Sequence, residues 1–137
     1  LDQALDDTVR EFAERGGFEV RLQVESLAFT LDASEQIHLL QIAREALSNC
    51  ARHAQAKHVI VHLSQQGERI ELLIEDDGCG IVAVADPRQH HGLTIMQERT
   101  RSLNGELDVS HNTPHGTRIH LSFQPGFLGR HAEESAT

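Results

Sequence analysis

The sequence predicts an α+β fold, a two-layer sandwich in which helices cover one face of a mixed, mostly antiparallel sheet. Three observations predict it: apolar spacing that switches between the helical three-to-four and the strand period of two, long helical stripes kept apart from paired strands, and short turns that close two hairpins. Leu1, Leu5, Val9 and Phe12 make the first helical stripe, which stops at Gly16-Gly17. Phe18, Val20, Leu22 and Val24 then alternate with polar residues as a half-buried strand does.

Asp32-Ala33-Ser34-Glu35 is a capping box and announces the longest helix, expected over 33–53. Ile37, Leu40, Ala43, Leu47, Cys50 and Ala54 are its expected core stripe, and Glu45, Asn49, Arg52 and His53 lie on another, polar face. Val59, Val61 and Leu63, a Gln66-Gly67-Glu68 turn, and Ile70, Leu72 and Ile74 read as a hairpin that runs into Asp76-Asp77-Gly78-Cys79-Gly80. Residues 82–91 lose periodicity and contain Asp86-Pro87, so a mobile loop is expected there. Leu93, Met96, Thr100 and Leu103 make a last helical stripe opened by His90-His91-Gly92-Leu93 and closed by Asn104-Gly105. Residues 106–110 and 117–124 make a final pair of strands. The expected domain is 1–124, with a disordered tail over 125–137.

Composition excludes several classes. At 137 residues, with 39% apolar and 24% charged residues, the chain fits one globular domain, and it carries no apolar run long enough to cross a bilayer. The first residues lack the basic start and cleavage site of a signal peptide, so the chain is expected to begin mid-protein. A net charge of −9 argues against nonspecific binding to nucleic acid or to a membrane surface, so any phosphorylated ligand is met locally. Two cysteines without CxxC spacing suggest a reducing compartment, and the ten scattered histidines, with no HExxH, do not form a metal motif.

Four segments carry chemistry. Glu45 and Asn49, one helical turn apart, offer a carboxylate and a neutral amide oxygen, the donor set of a hard cation that already has phosphate ligands; a solvated helix face is the plain alternative. The Asp76-Asp77-Gly78-Cys79-Gly80 segment lets a carboxylate and bare backbone approach a flat ligand, or is simply a turn. Gly78 to Ala83 formally matches the dinucleotide pattern GxGxxA, but two carboxylates precede it and Pro87 disfavours the helix that should receive the pyrophosphate. His90-His91-Gly92-Leu93 offers backbone N–H groups at a helix start, or a glycine hinge, and Gly116-Thr117 begins a strand.

Read in order, Gln41 to Asn49, Glu75 to Ile81, Gly92 to Arg99 and Gly116-Thr117 resemble the N, G1, G2 and G3 boxes of the histidine-kinase ATPase family, whose larger group includes gyrase, Hsp90 and MutL. The resemblance runs from about Leu31 to Phe123; the Arg44-to-Asn49 wording and Gly92 to Arg99 after a double histidine look most like nitrate/nitrite sensor kinases of the NarX and NarQ type. One departure stands out: His90 replaces the common first glycine of the G2 box.

The resemblance implies the Bergerat ATP-binding fold, with ATP and Mg2+ as ligands. It implies that Asn49 holds the Mg2+ with Glu45 beside the metal or its water, that Asp76 accepts from the adenine amino group, and that Gly78 and Gly80, followed by Ile81, let the base lie against the loop. Arg52 and His53 would look toward the phosphates, Gly92 and Leu93 would end the lid, and Thr117 would reach the adenine through water. The implied enzyme is a protein histidine kinase whose phosphoacceptor histidine lies on a separate dimerisation domain of the same protein, with a response regulator as the next acceptor. The domain would be cytoplasmic, within a full-length protein of the bacterial inner membrane. An ATP hydrolase or serine kinase of the same fold, with Glu45 as general base, and a non-catalytic nucleotide-sensing module are the alternatives.

Overall fold

A computed structural model describes residues 1–28, 30–52, 56–78 and 87–126. The elements run α1 (Asp2–Gly16), β1 (Glu19–Val24), α2 (Ala33–Arg52), β2 (His58–Gln66), β3 (Arg69–Asp76), α3 (Pro87–Ser102), β4 (Glu106–His111) and β5 (Thr117–Phe123). The strands form one sheet in the order β1-β2-β3-β5-β4, in which β1 and β2 are parallel and every other pair is antiparallel. The predicted α+β sandwich is therefore observed. A parallel pair cannot be joined by a tight turn, and α2 makes the β1-to-β2 crossover.

Local chemistry sets the element ends. α1 stops where Gly17 adopts a left-handed φ of 66° and returns its N–H to the Ala13 carbonyl at 2.9 Å. The predicted capping box opens α2: Glu35 N–H donates to Asp32 Oδ1 at 2.7 Å and Asp32 N–H donates to Glu35 Oε1 at 3.0 Å. Glu35 is buried, and its other oxygen accepts from the Gly126 N–H at 2.8 Å, which ties the chain just past Gln124 to the start of α2. Residues 127–137 lie outside the described residues. β2 and β3 are joined by Gly67-Glu68, with Gly67 at a φ of 61°.

The core lies between the helices and the inner sheet face. Leu5, Val9 and Phe12 of α1, Val59, Val61 and Leu63 of β2, Ile70, Leu72 and Ile74 of β3, and Met96 and Thr100 of α3 are all buried as their periodicities predict. The stripe on α2 is rotated from the expected one. Leu39, Ile42, Ala43, Ala46, Leu47 and Cys50 are buried, whereas Ile37 is 58% exposed and Leu40 only half-buried. Apolar residues surround the first half of this helix, and at about 100° per residue Ile37 falls roughly 160° from Leu39, so its period alone did not fix the phase.

A second correction concerns α3. It begins at Pro87 rather than at the double histidine, so residues 87–91 are helical; the rest of the expected loop, 82–86, lies outside the described residues. Proline disfavours a helix interior but is favoured at the first helical position, where its missing N–H would have no intrahelical partner. Pro87 therefore opens α3, and Gly92 lies in its second turn, not among the free N–H groups of the terminus.

The alternation of β3 divides its last residue, Asp76, from Asp77, which follows it. Asp76 continues the buried parity of Ile70, Leu72 and Ile74, while Asp77 turns the other way. Asp77 Oδ1 accepts from the Lys57 and His58 N–H groups at 2.8 and 3.0 Å, and Oδ2 meets His58 Nδ1 at 2.8 Å. This carboxylate clamps the start of β2. The His58 backbone N–H first, then the His58 ring and the Lys57 N–H, lower its pKa from 3.8 to about 2. A depressed carboxylate stabilises the fold above its unfolded pKa and loses that contribution as pH falls through the folded one. Asp77→Ala is expected to cost about 1 kcal/mol in urea unfolding at pH 7, less than a buried charged hydrogen bond because water screens a partly exposed group. The gap from the unsubstituted chain should close as pH falls from about 3.8 to about 2.

Candidate functional site

Two clusters meet along the polar and inner faces of α2. The first surrounds Asp76, only 5% exposed at the end of β3. Its Oδ1 accepts from the Gly78 N–H at 2.9 Å and the Thr117 N–H at 3.3 Å, and its Oδ2 accepts from the Cys50 thiol at 3.4 Å. Burial first, and then the negative charge of Asp76, push the Cys50 thiol well above 9.0, so it stays protonated and donates. The Asp76 carbonyl accepts from Asn112 Nδ2 at 3.0 Å, and His115 Nδ1 lies 3.3 Å from the Gly78 carbonyl. The β4–β5 turn thus folds over the end of β3.

Gly116 makes that approach possible. Its φ is 112°, and a Cβ there would overlap the Asp76 carbonyl oxygen and come within 2.7 Å of the carbonyl carbon. Only a residue without a side chain lets β5 start against the Asp76 backbone and present the Thr117 N–H to the carboxylate.

The second cluster holds the oxygens of Glu45 and Asn49. A Cβ on buried Gly92 would lie 3.2 Å from Glu45 Oε2 and 3.6 and 3.8 Å from Asn49 Oδ1 and Nδ2, so the Glu45 carboxylate and the Asn49 amide face one point beside α3. Gln41 Nε2 reaches Glu45 Oε1 at 3.5 Å. A carboxylate and an amide oxygen converging on one point suit a hard divalent cation. Glu45 and Arg52 also line a cleft of about 690 Å³ between α1, α2 and α3, together with Arg15, Arg44, His91 and Ser48. In a chain with a net charge of −9, this cleft collects three arginines and a histidine, which favours an anionic group locally. Glu11 partly offsets it, pairing with Arg15 at 3.2 Å and Arg44 at 3.1 Å.

Of the residues singled out from sequence, Asp76, Gly78 and Thr117 come together at one end, and Glu45, Asn49 and Gly92 at the other, with Arg52 in the adjoining cleft and Leu93 half-buried against the core. The two ends join through the consecutive residues Asn49 and Cys50. His53, Gly80 and Ile81 lie outside the described residues. The sequence reading missed Cys50, Asn112 and His115 as neighbours of this site; Cys50 was placed only in the core, where its side chain does lie.

The family model for the histidine kinase-, DNA gyrase B- and HSP90-like ATPases matches residues 34–126, which span α2 to the end of the described chain. The chain belongs to this family. As a member of this ATPase family it is an ATP-binding domain. It is 37% identical over 125 residues to the nitrate/nitrite sensor protein NarX of Escherichia coli K12, covering 91% of this chain and 21% of that protein. It is 34% identical to the nitrate/nitrite sensor protein NarQ of the same organism, covering 90% of this chain and 22% of that one. The chain thus spans about a fifth of the length of these curated relatives.

Solved structures carry the same fold. The blue-light activated histidine kinase of Erythrobacter litoralis EL346 superposes with a TM-score of 0.76 at 22% identity, covering 92% of this ATPase domain and 42% of that chain. The mycobacterial sensor histidine kinase MprB gives 0.72 at 23% identity, covering 90% of this domain and 93% of that chain. Among the described residues no helix is long and apolar enough to cross a membrane.

Proposed function

We propose that this domain is the catalytic part of a bacterial two-component sensor histidine kinase of the nitrate/nitrite type. It transfers the γ-phosphoryl group of ATP to a histidine on a separate dimerisation domain of the same protein, for relay to a response regulator. The supporting observation is that Asp76 with Gly78 and Thr117, and Asn49 with Glu45 and Gly92, converge on adjacent residues of one helix.

In this reading Asp76 accepts from the adenine amino group, the glycine backbone at Gly78 and Gly80, with Ile81, faces the base, and Thr117 reaches it through water. Asn49 holds Mg2+ with Glu45 beside it, Arg52 and His53 face the phosphates, and Gly92 and Leu93 end the lid. Bound Mg2+ supplies charge neutralisation at the phosphates. The chain's own residues fix the distance between base and phosphate ends and hold donors in place before reaction, which is most of what phosphoryl transfer asks of a protein. The domain works in the cytoplasm, attached to a protein of the inner membrane.

The test mixes the chain with γ-labelled ATP and the dimerisation helices of the full-length protein. Acid-labile label on a histidine of those helices is the expected outcome, and label on serine, or steady phosphate release without transfer, would replace this reading. Asn49→Ala is expected to abolish the label and make ATP affinity the same with Mg2+ as with chelator; an affinity that still rises with Mg2+ would remove Asn49 as the metal ligand.

A further inference from the structure

Among the described residues, three donors meet the Asp76 carboxylate. An ionised carboxylate offers about four acceptor positions. On Oδ1, Gly78 N–H and Thr117 N–H occupy both, at 2.9 and 3.3 Å. On Oδ2, the Cys50 thiol occupies one, at 3.4 Å. Among the described residues one position remains, on the oxygen that Cys50 holds.

We propose that Cys50 is a specificity-determining positioning residue: its S–H, donated to Asp76 Oδ2, orients the carboxylate toward the ligand and so sets the preference for a 6-amino over a 6-oxo purine. The inference rests on the reading of Asp76 as the acceptor for the base. Cys50 is 3% exposed, so its donor is directed inward and does not compete with solvent. It follows Asn49 directly on α2, so the same contact fixes the base-reading carboxylate relative to the helix turn that carries the phosphate-side oxygens. A thiol is a weak donor, which orients the carboxylate while leaving its acceptor strength for the ligand. Without that donor the direction in which Oδ2 accepts is no longer imposed.

The experiment measures, by calorimetry on the 137-residue chain, the ratio of ATP to ITP affinity in the unsubstituted protein and in Cys50→Ser, Cys50→Ala and Cys50→Val. Serine keeps the donor and should keep the ratio, whereas alanine and valine should lower it by about fivefold, the size of an ordinary net hydrogen bond, because a thiol donates weakly. Valine fills the space that alanine empties, so agreement between the two separates the lost donor from lost packing. A merely structural role would lower both affinities alike and leave the ratio unchanged, and that result overturns the proposal. Asp76→Asn is the companion variant. If it collapses the ratio while Cys50→Ala and Cys50→Val do not, only the role of Cys50 fails; if Asp76→Asn also leaves the ratio unchanged, the reading of Asp76 fails and this inference with it.

Discussion

Asp76→Ala is expected to weaken ATP binding by about 100-fold or more, the loss that follows when a buried charged acceptor is removed from a polar ligand group. The expectation comes from the strand parity of β3, which carries this one carboxylate into the buried layer with Ile70, Leu72 and Ile74. There it is the common acceptor for Gly78 N–H, Thr117 N–H and the Cys50 thiol, so alanine removes the acceptor for the ligand and for three protein donors together. Isothermal titration should show the loss for ATP and a much smaller change for inorganic triphosphate, which has no base to read. Equal losses for both would mean that Asp76 supports the fold and does not read the base.

The second large effect is on stability. Gly116→Ala is expected to cost about 3 kcal/mol or more, combining a strained backbone with forced displacement of packed atoms. At a φ of 112° a side chain is disfavoured in any surroundings, and here its Cβ would overlap the Asp76 carbonyl and approach the Asp77 Cα to 3.0 Å. Relief requires β5 to move off the end of β3, which takes the Thr117 N–H away from Asp76. Gly67→Ala is the internal comparison: its φ is also positive, at 61°, but nothing lies within 4 Å of the added Cβ. It should cost about 1 kcal/mol, and its ATP affinity should be unchanged. Urea unfolding of the two variants checks the difference, and comparable losses would mean that backbone strain alone acts at Gly116.

Most of the architecture was legible because strands and helices impose different periods on apolar residues. β2 and β3 could be read from Val59 to Ile74, and the capping box at Asp32 and Glu35 located the start of α2. The phase of α2 was not legible, because Ile37, Leu39, Leu40 and Ile42 present apolar groups on several sides and only the packing of α1 and α3 selects among them. Pro87 misled because its meaning depends on position: it breaks a helix interior and suits a helix start.

In the site, Asp76 and Asp77 look alike in sequence. Alternation along β3 could have separated them, sending one inward to the cluster and the other outward to the β2 clamp. The convergence of Glu45 and Asn49 on Gly92 brings together residues far apart in the chain, and only the packing of α2 against α3 places them. The Cys50 donor was hidden for another reason. A cysteine on a core stripe reads as a small apolar residue until its buried acceptor is located.

The most direct measurement is titration of the unsubstituted chain with ATP and with GTP, each in Mg2+ and in chelator. A single ATP site is expected, whose affinity rises with Mg2+ and exceeds that for GTP by about tenfold or more, because a buried acceptor then meets an oxo group in place of an amino group. Absence of ATP binding, or equal affinity for the two nucleotides, would contradict it.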